Sequence, residues 1–86
     1  MHTVELLEQA VAVAGQLGYR TRHEWLGGTG GGACEFGGRK WIFIDLALTT
    51  VEQLEQVTDA LRSDPAIYVA DLTPPMRRLL GIRKTA

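Results

Sequence analysis

The chain has 86 residues, of which 45 % are hydrophobic and 22 % charged, and a formal net charge of −1. These values exclude a second domain, a disordered polar chain, and the Lys/Arg excess of a general nucleic-acid or anionic-membrane binder. A domain of this length buries only about 60–65 % of the surface its unfolded chain exposes. The core is therefore thin, no large enclosed substrate cavity is expected, and self-association would add stability.

Cys34 is the sole cysteine, so no disulfide can form within the chain, and a cytoplasmic location is expected. The apolar run Val11-Ala12-Val13-Ala14 follows Glu5 and Glu8 where the basic region of a signal peptide would stand. No stretch approaches the roughly 20 apolar residues of a membrane span, so no membrane association is expected.

From Val4 to Leu17 the residues Leu6, Leu7, Ala10, Val13, Ala14 and Leu17 recur at three- and four-residue steps, which predicts an amphipathic helix. Thr3 is its expected N-cap and Gly18 its C-terminal stop. Tyr19 to Leu26 alternates as a half-buried strand, with Tyr19, Thr21, His23 and Trp25 on one side. Gly27 to Gly32 has too few side chains to pack as helix or strand and reads as a loop. Ala33 to Phe36 and Arg39 to Leu46 flank Gly37-Gly38, a dipeptide suited to a tight hairpin turn. That turn sets Glu35 opposite Lys40, Cys34 opposite Trp41 and Phe36 opposite Arg39. The last of these strands carries Trp41 and Phe43 on one face and Ile42, Ile44 and Leu46 on the other, so both faces call for cover.

Thr49 and Glu52 form a capping-box pattern ahead of the stripe Val51, Leu54, Val57, Thr58 and Leu61, and Asp64-Pro65 closes that second helix. Ala66 to Ala70 is expected to be extended. Thr73-Pro74-Pro75 reads as an N-cap with proline at the first helical position, opening a short helix through Met76–Leu80 that Gly81 ends. Arg83 to Ala86 is expected to fray. The expected fold is thus a single α+β domain: helix, three-stranded antiparallel meander, helix and short C-terminal helix.

Candidate chemistry is sparse. Gly28, Gly30 and Ala33 match the spacing of a dinucleotide-binding turn, but the loop runs into a strand where that turn must open a helix. Gly28, Gly30 and Gly31 remain candidates for a backbone-amide anion site, against a plain connection between strands. Cys34 with His23 as base would make a thiol nucleophile, against a small hydrophobe buried among aromatics. His23 has the further reading of packing with Tyr19 and Trp25. Asp45 would serve as a general base, against a cap for the following turn. Cys34, His23 and Asp45 together offer three ligand types without any metal-binding spacing, so no metal or other cofactor is expected. Arg77, Arg78, Arg83 and Lys84 form a basic C-terminal segment. It would meet nucleic acid, or complement Glu52, Glu55, Asp59 and Asp64. The second is preferred, because no aromatics are interleaved with the charges.

Gly18-Tyr19, the glycine loop, Cys34, Gly38 and the strand Ile42-Phe43-Ile44-Asp45 before Thr49-x-x-Glu52 resemble a family of small uncharacterised bacterial proteins, over residues 6–80. That resemblance implies a bacterial source and no assigned activity. The helix and strands also resemble the amino-terminal part of the ImmA/IrrE-type zinc peptidases. Val51 to Asp64 contains no histidine and hence no H-E-x-x-H, so neither zinc nor hydrolysis carries over. The reading that follows is a non-catalytic homodimeric interaction module. Phe36, Trp41 and Phe43 are its candidate interface, because one sheet face would otherwise stay wet. The alternative is a thiol-dependent or anion-binding protein using Cys34, His23 and the Gly27 to Gly32 loop.

Overall fold

In a computed structural model that describes residues 2–28 and 30–82, the element order is α1 (Thr3–Gln16), β1 (Tyr19–Glu24), β2 (Gly32–Phe36), β3 (Arg39–Asp45), α2 (Thr50–Arg62), a 3-10 helix (Pro65–Val69) and α3 (Pro74–Leu80). The expected frayed end, Arg83 to Ala86, lies outside the described residues. Three helices and a three-stranded sheet make the fold α+β.

The sheet is mixed, and here the expected meander is corrected. Its order is β1-β3-β2, with β1 parallel to β3 and β2 antiparallel to it. Parallel neighbours need a crossover connection of about a dozen residues or more, and the segment from Trp25 to Gly38, which contains β2, supplies it. β3 lies between the two strands that precede it in the chain. The glycine-rich link from β1 to β2 must therefore pass across the end of β3.

The hairpin register is as read from Gly37-Gly38: Cys34 pairs with Trp41, Glu35 with Lys40 and Phe36 with Arg39. Both turn glycines have positive φ, 61° and 73°, the backbone shape of a type I′ turn. β1 stops at Glu24, two residues short of the expected strand end, and Gly32 joins β2.

α2 carries the full capping box. The Thr49 hydroxyl accepts the Glu52 amide at 3.2 Å, and the Glu52 carboxylate accepts the Thr49 amide at 3.0 Å. α1 differs at its start: Thr3 is its first helical residue, and His2 holds the cap position without a side-chain bond. Of the expected extended piece Ala66 to Ala70, Ala66 to Val69 is helical and only Ala70, the C-cap, has extended dihedrals. The Asp64 carboxylate accepts the Ala66 amide and Pro65 fixes the first φ, which together favour a tight turn. α3 starts at Pro74, capped by the Thr73 hydroxyl, and ends at Gly81 in the left-handed region.

The core lies between the sheet and the helices. Ile42 and Ile44 of β3 are wholly buried against Ala10, Val13 and Ala14 of α1 and Leu54, Val57 and Leu61 of α2. Val51, expected in the α2 stripe, is exposed, and Ala60 is buried instead. Ile67, Leu72, Met76 and Leu80 close the helical side. The 3-10 helix packs on α2, and α3 packs on α1 and α2. Among the described residues, the second sheet face is uncovered. Among the described residues, no helix is long and apolar enough to cross a membrane.

Candidate functional site

Strand alternation sorts the sheet residues by face. Ile42 and Ile44 point to the helices, so Trp41 and Phe43 point away, joined by Cys34 and Phe36 from β2 and by Arg20 and Arg22 from β1. The aromatics form a ladder. Phe36 and Trp41 have ring centroids 5.5 Å apart, Trp41 and Phe43 6.0 Å, and Phe36 and Phe43 6.5 Å, with interplanar angles of 10–17°. The Arg20 guanidinium lies 6.0 Å from the Trp41 ring centre. Phe36 is 57 % exposed, while the Trp41 Nε1 is shielded from solvent with no acceptor among the described residues.

Cys34 is exposed, not buried among aromatics as expected. The reason is that, among the described residues, no helix packs over the outer face. Beside it runs a shallow apolar groove of about 330 Å³ lined by Leu26, Gly30, Gly31, Gly32, Cys34 and Phe43, among others.

His23 does not join Cys34. It aligns with Ile44 on the helical face of β1, whereas Cys34 aligns with Trp41 on the outer face of β2. With β3 between them, the two strands are about 10 Å apart, beyond the reach of a nucleophile and its base. Packing of His23 with Trp25 is also absent from the strand geometry: His23 is exposed and Trp25, outside β1, is 74 % exposed. Among the described residues, no three His, Cys, Asp or Glu side chains converge where a metal could be held.

Asp45 is wholly buried at the end of β3, under the link between β1 and β2. Its Oδ1 accepts the Leu26 amide at 3.0 Å and the Ala47 amide at 2.9 Å, and its Oδ2 accepts the Gly28 amide at 2.6 Å. Burial raises the cost of its charge, but the amides of Leu26, Ala47 and Gly28 outweigh that and hold the carboxyl below the usual range. A group so held is a poor proton acceptor. Asp45 thus matches the capping reading rather than the general base. The loop amide of Gly28 is already occupied by an anion, the chain's own.

Gln56 was not singled out in the sequence. Its Oε1 accepts the Asp45 amide at 3.0 Å and its Nε2 donates to the Gly30 carbonyl at 3.0 Å. Gly31 follows with φ of 105°, and a Cβ there would strike the Gln56 amide and come within 2.9 Å of the Phe43 carbonyl. Its glycine is required both by backbone shape and by space.

A second polar cluster was also missed. Lys40 Nζ lies 3.1 Å from Asp64 Oδ2 and 4.4 Å from the Tyr19 ring centre, and the Tyr19 hydroxyl donates to Asp64 Oδ2 at 2.9 Å. Lys40 faces Glu35 in register, yet its ion pair is with Asp64. Asp64 is held below the usual carboxylate range by the Ala66 amide, then by Tyr19 and Lys40. Asp59 pairs with Arg62 at 2.7 Å, while Arg77 donates to the Leu72 carbonyl. Of the acids expected to meet the basic segment, Glu52 bonds to Thr49, Asp59 to Arg62, and Asp64 to Lys40 and Tyr19, while Arg83 and Lys84 lie outside the described residues.

No protein-family model, curated protein or solved structure matches the chain.

Proposed function

We propose that this protein is a non-catalytic interaction module that works as a homodimer in the cytoplasm. The observation that carries the reading is the uncovered aromatic ladder of Phe36, Trp41 and Phe43 on the sheet face opposite the helices. A thin domain gains stability by removing such a surface from water. The chain's charge favours a protein surface over nucleic acid: a formal net charge of −1 lacks the Lys/Arg excess of a nucleic-acid binder. The separation of His23 from Cys34 and the internal use of Asp45 support the non-catalytic part.

The test is sedimentation or light scattering at micromolar concentration. A mass twice that of the 9.4 kDa chain is expected. A monomer throughout that range overturns the reading.

A further inference from the structure

The sheet has two edges of different character. β1 presents Arg20, Arg22 and Glu24 and lies beside α1, features that discourage pairing with another strand. β2, with the sequence Gly-Ala-Cys-Glu-Phe, is exposed from Ala33 to Phe36. The two-residue turn makes Phe36 and Arg39 a hydrogen-bonded pair. Alternation then gives Cys34 and Trp41 the next such pair, and leaves the amides and carbonyls of Ala33 and Glu35 directed at the open edge.

Resting on the homodimer reading above, we propose that two copies of this chain pair antiparallel along β2 about a two-fold axis at Cys34. The free backbone groups are self-complementary in that register: Ala33 of each copy exchanges two hydrogen bonds with Glu35 of the other. Cys34 then lies opposite itself in a non-hydrogen-bonded pair. The same register sets Phe36 of each copy opposite Gly32 of the other, on the outer face. Gly32 is part of the apolar groove of about 330 Å³, whose walls include Leu26 and Phe43. A Cβ at Gly32 would meet nothing within 4 Å, so the space above it is open. The exposed Phe36 ring is the knob and this groove the hole, each present twice. An aromatic ring laid over an edge glycine is a known stabilising cross-strand arrangement.

Cys34 serves as the reporter. Its Cα would lie about 4.5 Å from its symmetry mate, within the range of about 4.4–6.8 Å that a disulfide spans. The full chain is oxidised with diamide at micromolar concentration. Two Cys34 thiols give one S–S bond, and their two electrons and two protons reduce diamide to the hydrazine. A disulfide-linked dimer is expected as the main product. Glu35→Pro removes one edge-directed N–H without touching the β2–β3 ladder, and Phe36→Ala removes the knob. Each should slow cross-linking at least about tenfold and shift the light-scattering mass toward the monomer. Circular dichroism checks that both variants fold. If Glu35→Pro does not, Phe36→Ala decides, its side chain being exposed. Equal cross-linking rates in wild type and Phe36→Ala overturn the pairing as random collision. A dimer by light scattering that resists cross-linking overturns it while leaving the homodimer reading intact. A monomer that does not cross-link overturns both.

Discussion

The Asp45 carboxylate accepts the Gly28 amide at 2.6 Å across the end of the central strand, and this bond ties the β1–β2 link to the sheet it crosses. The loop meets a fixed negative charge at the point where it passes over β3. Leu26 and Ala47 donate to the other carboxylate oxygen, so one side chain fixes both the arriving loop and the departing turn.

Stability should therefore fall in acid through this group. The folded carboxyl is held below its ordinary value, so its contribution is complete above the unfolded pKa and is lost as pH falls through the folded one. Asp45→Asn cannot supply the same charged acceptors. It is expected to lower the melting temperature at neutral pH and to remove about one proton from the uptake that accompanies acid unfolding. Thermal melts from neutral to acid pH measure both. An unchanged slope against pH would show that Asp45 does not hold the loop as a charge.

Gly31 tests the same latch from the loop side. Gly31→Ala places a methyl against Gln56 and the Phe43 carbonyl, at a φ of 105°. Gly28→Ala meets open space at φ 82°. The first should destabilise by about 2–3 kcal/mol and the second by about 1 kcal/mol, backbone strain alone accounting for the latter. Urea titration separates the two.

Much of this architecture can be read from short-range signals. Thr49 and Glu52 fix the start of α2, Gly37-Gly38 fixes the hairpin register, and Thr73-Pro74 opens α3, because each depends on residues within one turn. Neighbour choice is different. Tyr19 to Glu24 alternates equally well beside either strand, so nothing local says that β1 runs parallel to β3. Nor does alternation in β3 say which face is buried, since Trp41 and Phe43 are as apolar as Ile42 and Ile44. The roles of Gln56 and of the Tyr19–Lys40–Asp64 cluster depend on contacts between residues far apart in the chain, which no local pattern signals. Asp45 was legible as a cap from its place before a helix, although the loop it holds was not.

The capping box offers a direct measure of a local signal. Thr49→Ala removes the hydroxyl that accepts the Glu52 amide, at a cost of about 1 kcal/mol. For a domain of this size that corresponds to a fall in melting temperature of about 4–8 °C.

At alkaline pH the Tyr19 phenol should behave unusually. Burial, the hydrogen bond to Asp64, and the negative charges of Asp64 and Glu35 push its pKa up to about 12. The unfolded phenol ionises near pH 10. Stability from this contact is therefore complete below about pH 10 and is lost as pH rises through about 12. Ultraviolet titration of the phenolate in a Tyr68→Phe background isolates Tyr19. Asp64→Asn should move its midpoint from about 12 back toward 10, and no movement would sever the link between the two residues.

The two faces of β3 should respond oppositely to truncation. Ile44 is wholly buried between the sheet and the helices, so Ile44→Ala leaves a cavity and should cost about 2–5 kcal/mol, or about 10 °C or more in melting temperature. Phe36 stacks on Trp41 but is more than half exposed. Phe36→Ala should cost the folded monomer only about 1 kcal/mol, chiefly the lost ring pair. The measurement is urea unfolding of both variants at concentrations low enough to keep the chain monomeric. At higher concentration, where the dimer forms, the penalty for Phe36→Ala should grow while that for Ile44→Ala stays constant. That separation would assign Ile44 to folding and Phe36 to association.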